Sequence, residues 1–536
     1  MRTSGENTAM RGRDFLIRGL AVGALSMALA WPCGAASIPT GSDIEIRWDN
    51  TIKYSDAWRV HAQDGYLLSN PNQDDGDRDF ARGLISNRID LLSEFDVKYH
   101  DFGLNASAAA WYDTVYNGRE DNDSPATFNP TSVPYFHFPR DTRKINGRDA
   151  ELLNAFIYGK ENFGSTTLSF RAGRHTLLWG ESLLIPNNGI AYGQAPLDII
   201  KLLSVPNTLA KELFLPVAQL STQLQLPAGF SIAGYAQFEY RKTRLPGVGS
   251  YFSFLDLADE GGERILTGGP VFNRGQDQKP SDTGQWGLAL RYSSDRLGAD
   301  FGLYAITYDD KLPQVALLIN PNFAVGQLGN YFLVYPHSVH AYGFSVSTSV
   351  GPANVAGEVS VRTSEPLVSE PTTVAAVPTA SSSPGAIGKS IHAQVSVLYL
   401  LHPTWLWQGG DFAGEVAYNS RLSITRNAAA LDPTTTRNAA GLRFIFNPSW
   451  YQVLPGLDVT VPIGIGWNFS GNSSVVQLFN GGAVHGGDAT TGLSVAFRTV
   501  WKGSLTYTKY FEYNGHNPAN FYVDRDFVAL SLQRTF

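Results

Sequence analysis

Segments that alternate strictly between apolar and polar residues recur along the whole chain. In "IEIRWDNTIKYS" (44–55) most even positions are apolar or aromatic, and the odd positions are polar or charged. A period of two is that of a β-strand with one apolar and one polar face. Each segment is roughly ten residues long, the length of a tilted membrane strand. The pattern returns at 89–99, 230–242, 286–294, 354–363, 390–401, 412–422 and 441–446.

Short and long connections alternate between these segments. The short ones lie at 100–103, 161–166, 227–229, 294–298, 351–352 and 501–503, and the long ones at 61–83, 117–149, 180–215, 243–282, 310–337, 364–388, 424–437, 469–488 and 514–522. This rhythm is typical of outer-membrane barrels, which have short periplasmic turns and longer extracellular loops. It predicts an all-β fold, a transmembrane antiparallel β-barrel of about 18 strands (16 also fit), with both chain ends in the periplasm.

The apolar face of each strand is predicted to contact lipid, and the charged face to line an enclosed lumen. Aromatic residues cluster near the strand ends, as they do in an interfacial girdle. The alternative is a secreted all-β repeat protein, such as a sandwich array or a propeller. The net charge of −7 gives no basic footprint, so no nucleic-acid partner is predicted.

The first 36 residues are predicted to be a secretory signal peptide, which leaves residues 37–536 as the barrel. Basic residues precede a short apolar core at 19–31, and small residues suitable for cleavage follow it. Cys33 does not lie in a lipobox, because Trp31 and Pro32 precede it. It is the only cysteine, so the mature protein is predicted to lack disulfides and thiol-bound metal.

The last nine residues, "VALSLQRTF" (528–536), alternate in the same way and end on phenylalanine. They resemble the C-terminal signal that the barrel-assembly machinery reads on outer-membrane proteins. Arg534 replaces the usual aromatic residue, and an arginine near the interface can extend its charged head to the headgroups. The expected location is the outer membrane, with its lipid, lipopolysaccharide and the barrel-assembly machinery as partners.

One long connection differs from the others in being rich in Leu, Ile and Pro. It lies within "GRHTLLWGESLLIPNNGIAYGQAPLDIIKLLSVPNTLAKELFLP" (173–216) and contains short stretches of helical period. A solvent-facing loop would not carry so much apolar surface. Residues 180–215 are therefore predicted to fold inward as a partly helical loop that constricts the lumen; packing on the barrel rim is the alternative.

Strict alternation places Arg171, His175 and Trp179 towards the lumen and would place Arg174 towards lipid, a costly position. A bulge at Gly173 is predicted to turn Arg174 inward, where it pairs with Glu181. A position near the interface, or a ligand-binding role, are the alternatives for Arg174. The candidate constriction and ligand-path residues are Arg171, Arg174, His175, Trp179, Glu181, Ile199, Leu202 and Leu203.

Two further loops, at 251–257 and 312–336, also carry apolar surface. Together with the inserted loop they are predicted to form an apolar entrance at the cell surface, or else to pack on one another as a lid. Lumen-facing charges of both signs, among them Glu358, Arg362 and Glu415, suit a wall that holds an internal plug better than an ion-selective ring.

No catalytic or metal-binding pattern stands out in the sequence. It has no HExxH and no G-x-S-x-G, and its ten histidines are scattered. Carboxylates alternate in "DDGDRDF" (74–80), but the glycine and distal glutamate of an EF-hand are missing. This segment and "REDNDS" (119–124) are predicted to be solvated acidic loops rather than calcium sites. The chain is therefore predicted to be a non-enzyme without cofactor or metal.

"GRHTLLWGESLLIP" followed by "LPVAQLSTQLQLP" (215–227) resembles the family catalogued as domain of unknown function 1302. The likeness runs from "RWDNTIKY" to Phe536. The resemblance implies a Gram-negative outer-membrane barrel and traffic of hydrophobic compounds. It also implies a periplasmic lipoprotein and an inner-membrane exporter of the resistance-nodulation-division type as partners.

The predicted function is a channel or conduit for small, hydrophobic molecules, gated by the 180–215 loop. The alternatives are a general diffusion porin, a barrel-borne hydrolase, and a surface adhesion or structural protein.

Overall fold

Eighteen antiparallel strands form a closed barrel in the computed structural model, which describes residues 36–38, 40–205, 210–513, 517 and 519–536. The strands follow one another around the barrel in chain order, and the last strand pairs with the first, from Thr51 opposite Thr535 to Arg59 opposite Phe527. Asn50 and Phe536 exchange two backbone hydrogen bonds of 2.8 and 2.9 Å at the seam. The predicted all-β barrel is confirmed, with 18 strands rather than 16.

The barrel strands are β1 (Ile44–Arg59), β2 (Gly83–Tyr99), β3 (Phe102–Asp113), β4 (Arg148–Phe163), β5 (Thr166–His175), β6 (Val217–Gln225), β7 (Phe230–Gln237), β8 (Trp286–Ser294), β9 (Ala299–Tyr308), β10 (Val339–Val350), β11 (Ala353–Pro366), β12 (Ile387–Leu400), β13 (Gly409–Arg426), β14 (Asn438–Leu454), β15 (Leu457–Thr460 with Ile463–Ser470), β16 (Gly486–Phe497), β17 (Trp501–Glu512) and β18 (Phe527–Thr535). A short strand, Ala36–Ile38, pairs with the start of β1.

The long loops carry the remaining regular structure. They form a five-stranded sheet in the order Thr372–Val374, Gln314–Asn322, Gln327–Val334, Val271–Arg274 and Arg264–Ile265. The helices and helical turns are short: Leu67–Ser69, Asp75–Arg78, Arg140–Thr142, Arg143–Gly147, Ile190–Gly193, Ile199–Ser204, Ala210–Leu213, Pro227–Gly229, Phe323–Val325, Ala380–Ser382, Ala428–Ala430 and Phe479–Gly481. Among the described residues, no helix is long and apolar enough to cross a membrane.

The faces of the barrel strands are oriented as predicted. On β1, Trp48 is 48% exposed on the outer surface, whereas Lys53 is only 4% exposed. The same alternation places Leu288 and Val416 outside and Glu415 inside. Because the outer face is apolar, it suits lipid, and the charged side chains are enclosed.

An aromatic row marks the short-turn end of the outer face. Phe230 stacks on Tyr292 with ring centroids 4.6 Å apart, Tyr292 lies 6.4 Å from Phe301, and Phe301 lies 6.5 Å from Phe344. The four rings cross four neighbouring strands, β7 to β10. Such a row is typical of the interfacial girdle of a transmembrane barrel.

Some predicted boundaries are wrong. The last short turn occupies 498–500, because Trp501 already pairs with Phe497. The predicted strand 230–242 ends at Gln237, and short connections at 401–408 and 455–456 escaped prediction. The predicted signal peptide, residues 1–36, lies outside the described residues except for Ala36.

The core of the molecule lies inside the barrel rather than between layers. Loops at 60–82 (L1), 114–147 (L2) and 238–285 (L4) bring Phe80, Phe138, Tyr251 and Phe252 into one buried cluster. The cluster packs against the long-loop ends of β1 and β18. The long-loop end of an outer-membrane barrel is extracellular. Next to β1 and β18, the loops therefore fill this end of the barrel with protein.

Candidate functional site

The connection between β5 and β6, residues 176–216, folds into the barrel and is called the inward loop below. Its backbone is held by charged side chains of the barrel wall. Glu358 on β11 accepts hydrogen bonds from the backbone N–H groups of Glu181 (2.5 Å) and Ile190 (2.8 Å). A carboxylate that accepts backbone N–H groups gives stronger bonds than a neutral acceptor does.

Two more charged wall residues repeat this arrangement. Glu415 on β13 accepts from the backbone N–H groups of Ile185 (2.7 Å) and Leu184. The Arg362 guanidinium on β11 donates to the carbonyl oxygens of Asn188 (2.8 Å) and Gly189 (2.9 Å). The prediction that mixed lumen charges hold an internal plug is confirmed for these contacts.

The Trp-Gly-Glu sequence marks the point where the inward loop enters the lumen. Trp179 is buried against Tyr235 (5.1 Å between centroids) and Tyr304 (6.0 Å) of the wall. Gly180 has φ +91°, and a Cβ there would overlap the Glu358 carboxylate. Glycine is therefore required both by the backbone conformation and by the close approach of Glu358.

The second half of the inward loop is tied to a different part of the wall. The Asp198 side chain caps the helix Ile199–Ser204 by accepting from the Lys201 N–H at 2.9 Å. Arg244 of L4 joins Asp198 (2.7 Å) to Glu151 of β4 (2.6 Å). The inward loop therefore contacts β11 to β13 and, through L4, the wall near β4. Glu151 and Arg244 were not predicted as site residues, because nothing in the sequence around either residue indicates that the two form an ion pair.

The structure brings most of the predicted site residues to the lumen. Arg171 is exposed there beside Phe156 (5.9 Å), and the buried His175 contacts the Ser221 hydroxyl at 2.8 Å. Ile199 and Leu203 pack against the buried aromatic cluster, whereas Leu202 is 51% exposed. Glu181 takes part through its backbone rather than its carboxylate.

Arg174 departs from its prediction. The pairing of β5 with β4 and β6 is regular across Gly173, so no bulge turns Arg174 inward. Arg174 shares the outer face with Ala218 and pairs with Glu239, Nε to Oε2 at 3.1 Å, at the long-loop end of the barrel. The predicted pairing with Glu181 is wrong, and a position near the membrane interface explains how the charge is tolerated.

A cavity of about 350 Å³, called the vestibule below, lies above the inward loop at the extracellular end. Its apolar lining comes from five of the long loops. The lining side chains include Phe254, Leu255, Leu257, Leu312, Val315, Leu367, Val475, Val476, Leu478, Phe479 and Phe521. The apolar loops predicted at 251–257 and 312–336 do meet the inward loop here, since Asn187 and Tyr192 also line the cavity.

Two pairs of polar groups at the vestibule are hydrogen-bonded to each other. Tyr192 donates its hydroxyl hydrogen to Asp310 (2.8 Å), and Arg362 donates to Glu365 (3.2 Å). Burial raises the pKa of the Asp310 carboxyl above its usual range. Because these groups are already satisfied, an apolar molecule in the vestibule leaves none of them newly unpaired.

A second cavity of about 340 Å³ lies on the other side of the inward loop, towards the short turns. Its lining includes Lys98, Tyr158, Arg171 and Ser221, with Trp179 of the inward loop on one side. The inward loop therefore lies between one cavity on the extracellular side and a second on the periplasmic side.

Comparisons with known proteins agree with the resemblance seen in the sequence. A family model described as protein of unknown function (DUF1302) matches residues 16–536. The chain belongs to the DUF1302 family. No curated protein matches its sequence. The Trp-Gly-Glu sequence lies within the matched residues, and its Glu181 N–H bonds the inward loop to Glu358.

Several solved structures are similar at low identity. OccAB4 of Acinetobacter baumannii is 11% identical, with 92% of this chain and 98% of that chain covered and a TM-score of 0.42. A BenF-like porin from Pseudomonas fluorescens Pf-5 is 9% identical over 92% and 98%, with a TM-score of 0.41. The outer membrane channel DcaP of Acinetobacter baumannii is 8% identical over 94% and 100%, with a TM-score of 0.38. At these TM-scores the similarities carry no argument about function.

Proposed function

We propose that this protein is an outer-membrane channel for small, predominantly hydrophobic molecules, and that the inward loop is its gate. The observation that carries the proposal is the vestibule, a mostly apolar cavity of about 350 Å³ above the inward loop. Cavities of a few hundred Å³ with apolar linings suit small-molecule ligands.

The arrangement of the gate supports a conduit over a general diffusion porin. A diffusion porin needs a continuous aqueous path, whereas the inward loop here separates two cavities and is bonded to several wall strands. We propose that passage requires the loop to move. The bonds that hold it run mainly to side chains of the wall and of L4, so they can be broken without disturbing the backbone pairing of the barrel.

The test is to lock the inward loop to the wall. Asn188 and Gln394 touch through their side chains (3.1 Å), so an Asn188→Cys/Gln394→Cys variant can be joined by a short thiol-to-thiol cross-linker. Cys33 lies in the predicted signal peptide, so the engineered pair would be the only thiols of the mature protein. Cross-linking is expected to suppress channel openings in planar bilayers and uptake of a radiolabelled aromatic hydrocarbon by expressing cells.

A matched pair controls for the cross-linker itself. Thr490→Cys/Thr508→Cys joins the neighbouring wall strands β16 and β17. The two threonine hydroxyls already lie 2.9 Å apart, and among the described residues neither is hydrogen-bonded to the inward loop. This control is expected to conduct and transport normally. Unchanged openings and uptake in the locked protein would refute gating by the inward loop, and a large steady current in the wild type would favour a diffusion porin.

The proposed partners are supported by the family resemblance alone. They are a periplasmic lipoprotein and an inner-membrane exporter of the resistance-nodulation-division type, with lipid and lipopolysaccharide around the barrel. Co-purification of the detergent-solubilised barrel with a periplasmic lipoprotein is the expected result, and its repeated absence would count against that part.

A further inference from the structure

The acidic segment of L1 is not solvated, contrary to the prediction from sequence. Asp74 and Asp75 are 0% exposed, and Asp256 of L4, which lies beside them, is also 0% exposed. Glu120 of L2, from the second predicted acidic loop, is 8% exposed. The sequence could not reveal this, because the groups that cover L1 lie far away along the chain.

Three loops bring these carboxylates together. One oxygen from each of Asp74, Asp75 and Asp256 lies within 4.8 Å of the others. The Asp75 N–H donates to Asp256 Oδ2 (3.2 Å), and Asp75 Oδ2 accepts from the Asn129 N–H of L2 (3.0 Å). Asp79 and Glu120 adjoin this group and interact electrostatically with Asp75.

Several oxygens in this region are buried without a hydrogen-bond partner. They include Asp74 Oδ1, Asp256 Oδ1, both carboxylate oxygens of Glu120, and the side-chain oxygen of the fully buried Asn129. Asn129 is an independent indication, because it comes from a different loop, its backbone N–H binds Asp75, and its buried side-chain oxygen has no donor. A bound cation would satisfy buried oxygens that have no hydrogen-bond donor.

The charges of the region are also unbalanced. Arg78 pairs with Asp74, and Arg59 pairs with Asp77 at 2.7 Å. Among the described residues, no ion pair reaches Asp75, Asp79, Glu120 or Asp256.

We propose that Asp74, Asp75 and Asp256 bind a divalent cation, Ca²⁺, that fastens L1 to L4 over the lumen. All the donors are oxygens, with no histidine or cysteine in the group, which excludes a typical zinc site. Ca²⁺ accepts carboxylates in irregular geometry, whereas Mg²⁺ demands a near-octahedral shell and keeps its waters. A buried site with irregular loop donors therefore suits Ca²⁺ better.

The position of the site gives the ion a structural role. Gly76, next to Asp75, lies so close to Ser250 and Ser253 that a Cβ would contact them. Tyr251 and Phe252, between those serines, belong to the buried aromatic cluster that fills this side of the barrel. A cation at the junction would therefore hold in place the aromatic cluster and the loops that carry it, L1, L2 and L4.

The test uses the full barrel in detergent, dialysed against EDTA and then titrated with CaCl₂ under calorimetry, with metal content measured by mass spectrometry. One Ca²⁺ per chain is expected, with a dissociation constant below the millimolar range. Asp256→Asn is expected to weaken binding at least tenfold. Glu370→Gln, which changes an exposed carboxylate on another loop, is the matched control and is expected to bind as the wild type does.

Folding of Asp256→Asn is judged by heat-dependent migration on gels. If this variant does not fold, proteolysis of the wild type provides a second test. Trypsin cleavage of the wild type within L1 or L2 is expected to accelerate several-fold after chelation and to slow again on adding Ca²⁺. Absence of saturable Ca²⁺ binding by the wild type, equal binding by a folded Asp256→Asn, or calcium-independent proteolysis would each overturn the proposal. None of these outcomes bears on conduction by the inward loop.

Discussion

At the scale of single residues, the inward loop needs a residue without a side chain at Gly180. Its φ of +91° and the closeness of Glu358 exclude a Cβ. Gly180→Ala is expected to cost about 1–3 kcal/mol in backbone strain and to displace Glu358 from the Glu181 N–H. Bilayer recordings should show more frequent openings. Gly65→Ala, where a Cβ meets nothing within 4 Å, is the control and should conduct as the wild type does.

Arg174 and Trp179 lie close in the sequence but face opposite sides of the wall. Arg174 pairs with Glu239 on the outer face, whereas Trp179 packs inside against Tyr235 and Tyr304. Arg174→Gln is therefore expected to leave conductance and uptake unchanged, and Trp179→Ala to alter both by removing the ring that seats the loop. Uptake assays on the two variants check this, and equal loss in both would mean that Arg174 contacts the permeating molecule after all.

Arg174 also shows where reasoning from alternation fails. The assumption that lipid would not tolerate the charge led to a predicted bulge, yet the strand keeps its register. The charge is accommodated by Glu239, which lies 65 residues away along the chain. Arg534, similarly, lies on the outer face 5.0 Å from the Trp501 ring, a partner that no local pattern reveals.

At the scale of elements, the strands were predictable and the partners of the loops were not. The sequence of each strand shows alternation with a period of two, so β1 and β8 were predicted to within a few residues. The inward folding of 180–215 followed from its composition. Its attachment to Glu358 and Glu415 could not be predicted, because the two partners of each bond lie about 170 to 230 residues apart along the chain. For the same reason the five-stranded sheet of the loops escaped prediction.

The two wall glutamates offer a test of the inward loop as an element. Glutamine keeps one acceptor oxygen but places an NH₂ group against a backbone N–H, so Glu358→Gln/Glu415→Gln should weaken several charge-assisted bonds worth about 1.5–3 kcal/mol each. Since about 1.4 kcal/mol is a factor of ten, the open fraction in bilayer recordings should rise at least tenfold. Glu94→Gln, a lumen carboxylate on β2 across the barrel, is the control, and an equal rise there would mean that general lumen charge is responsible.

At the scale of the whole molecule, the lipid-facing surface makes the barrel a transmembrane one, and this orientation can be measured directly. Leu288 is on the outer face of β8, and Arg171 is in the lumen on β5. A bimane label on Leu288→Cys should be quenched several-fold more strongly by brominated lipids than one on Arg171→Cys, because bromine atoms reach only the outer face. Soluble iodide should do the reverse. If iodide quenched the Leu288 label and brominated lipid did not, the apolar face would be in water, and neither a membrane channel nor a gate inside it could be maintained.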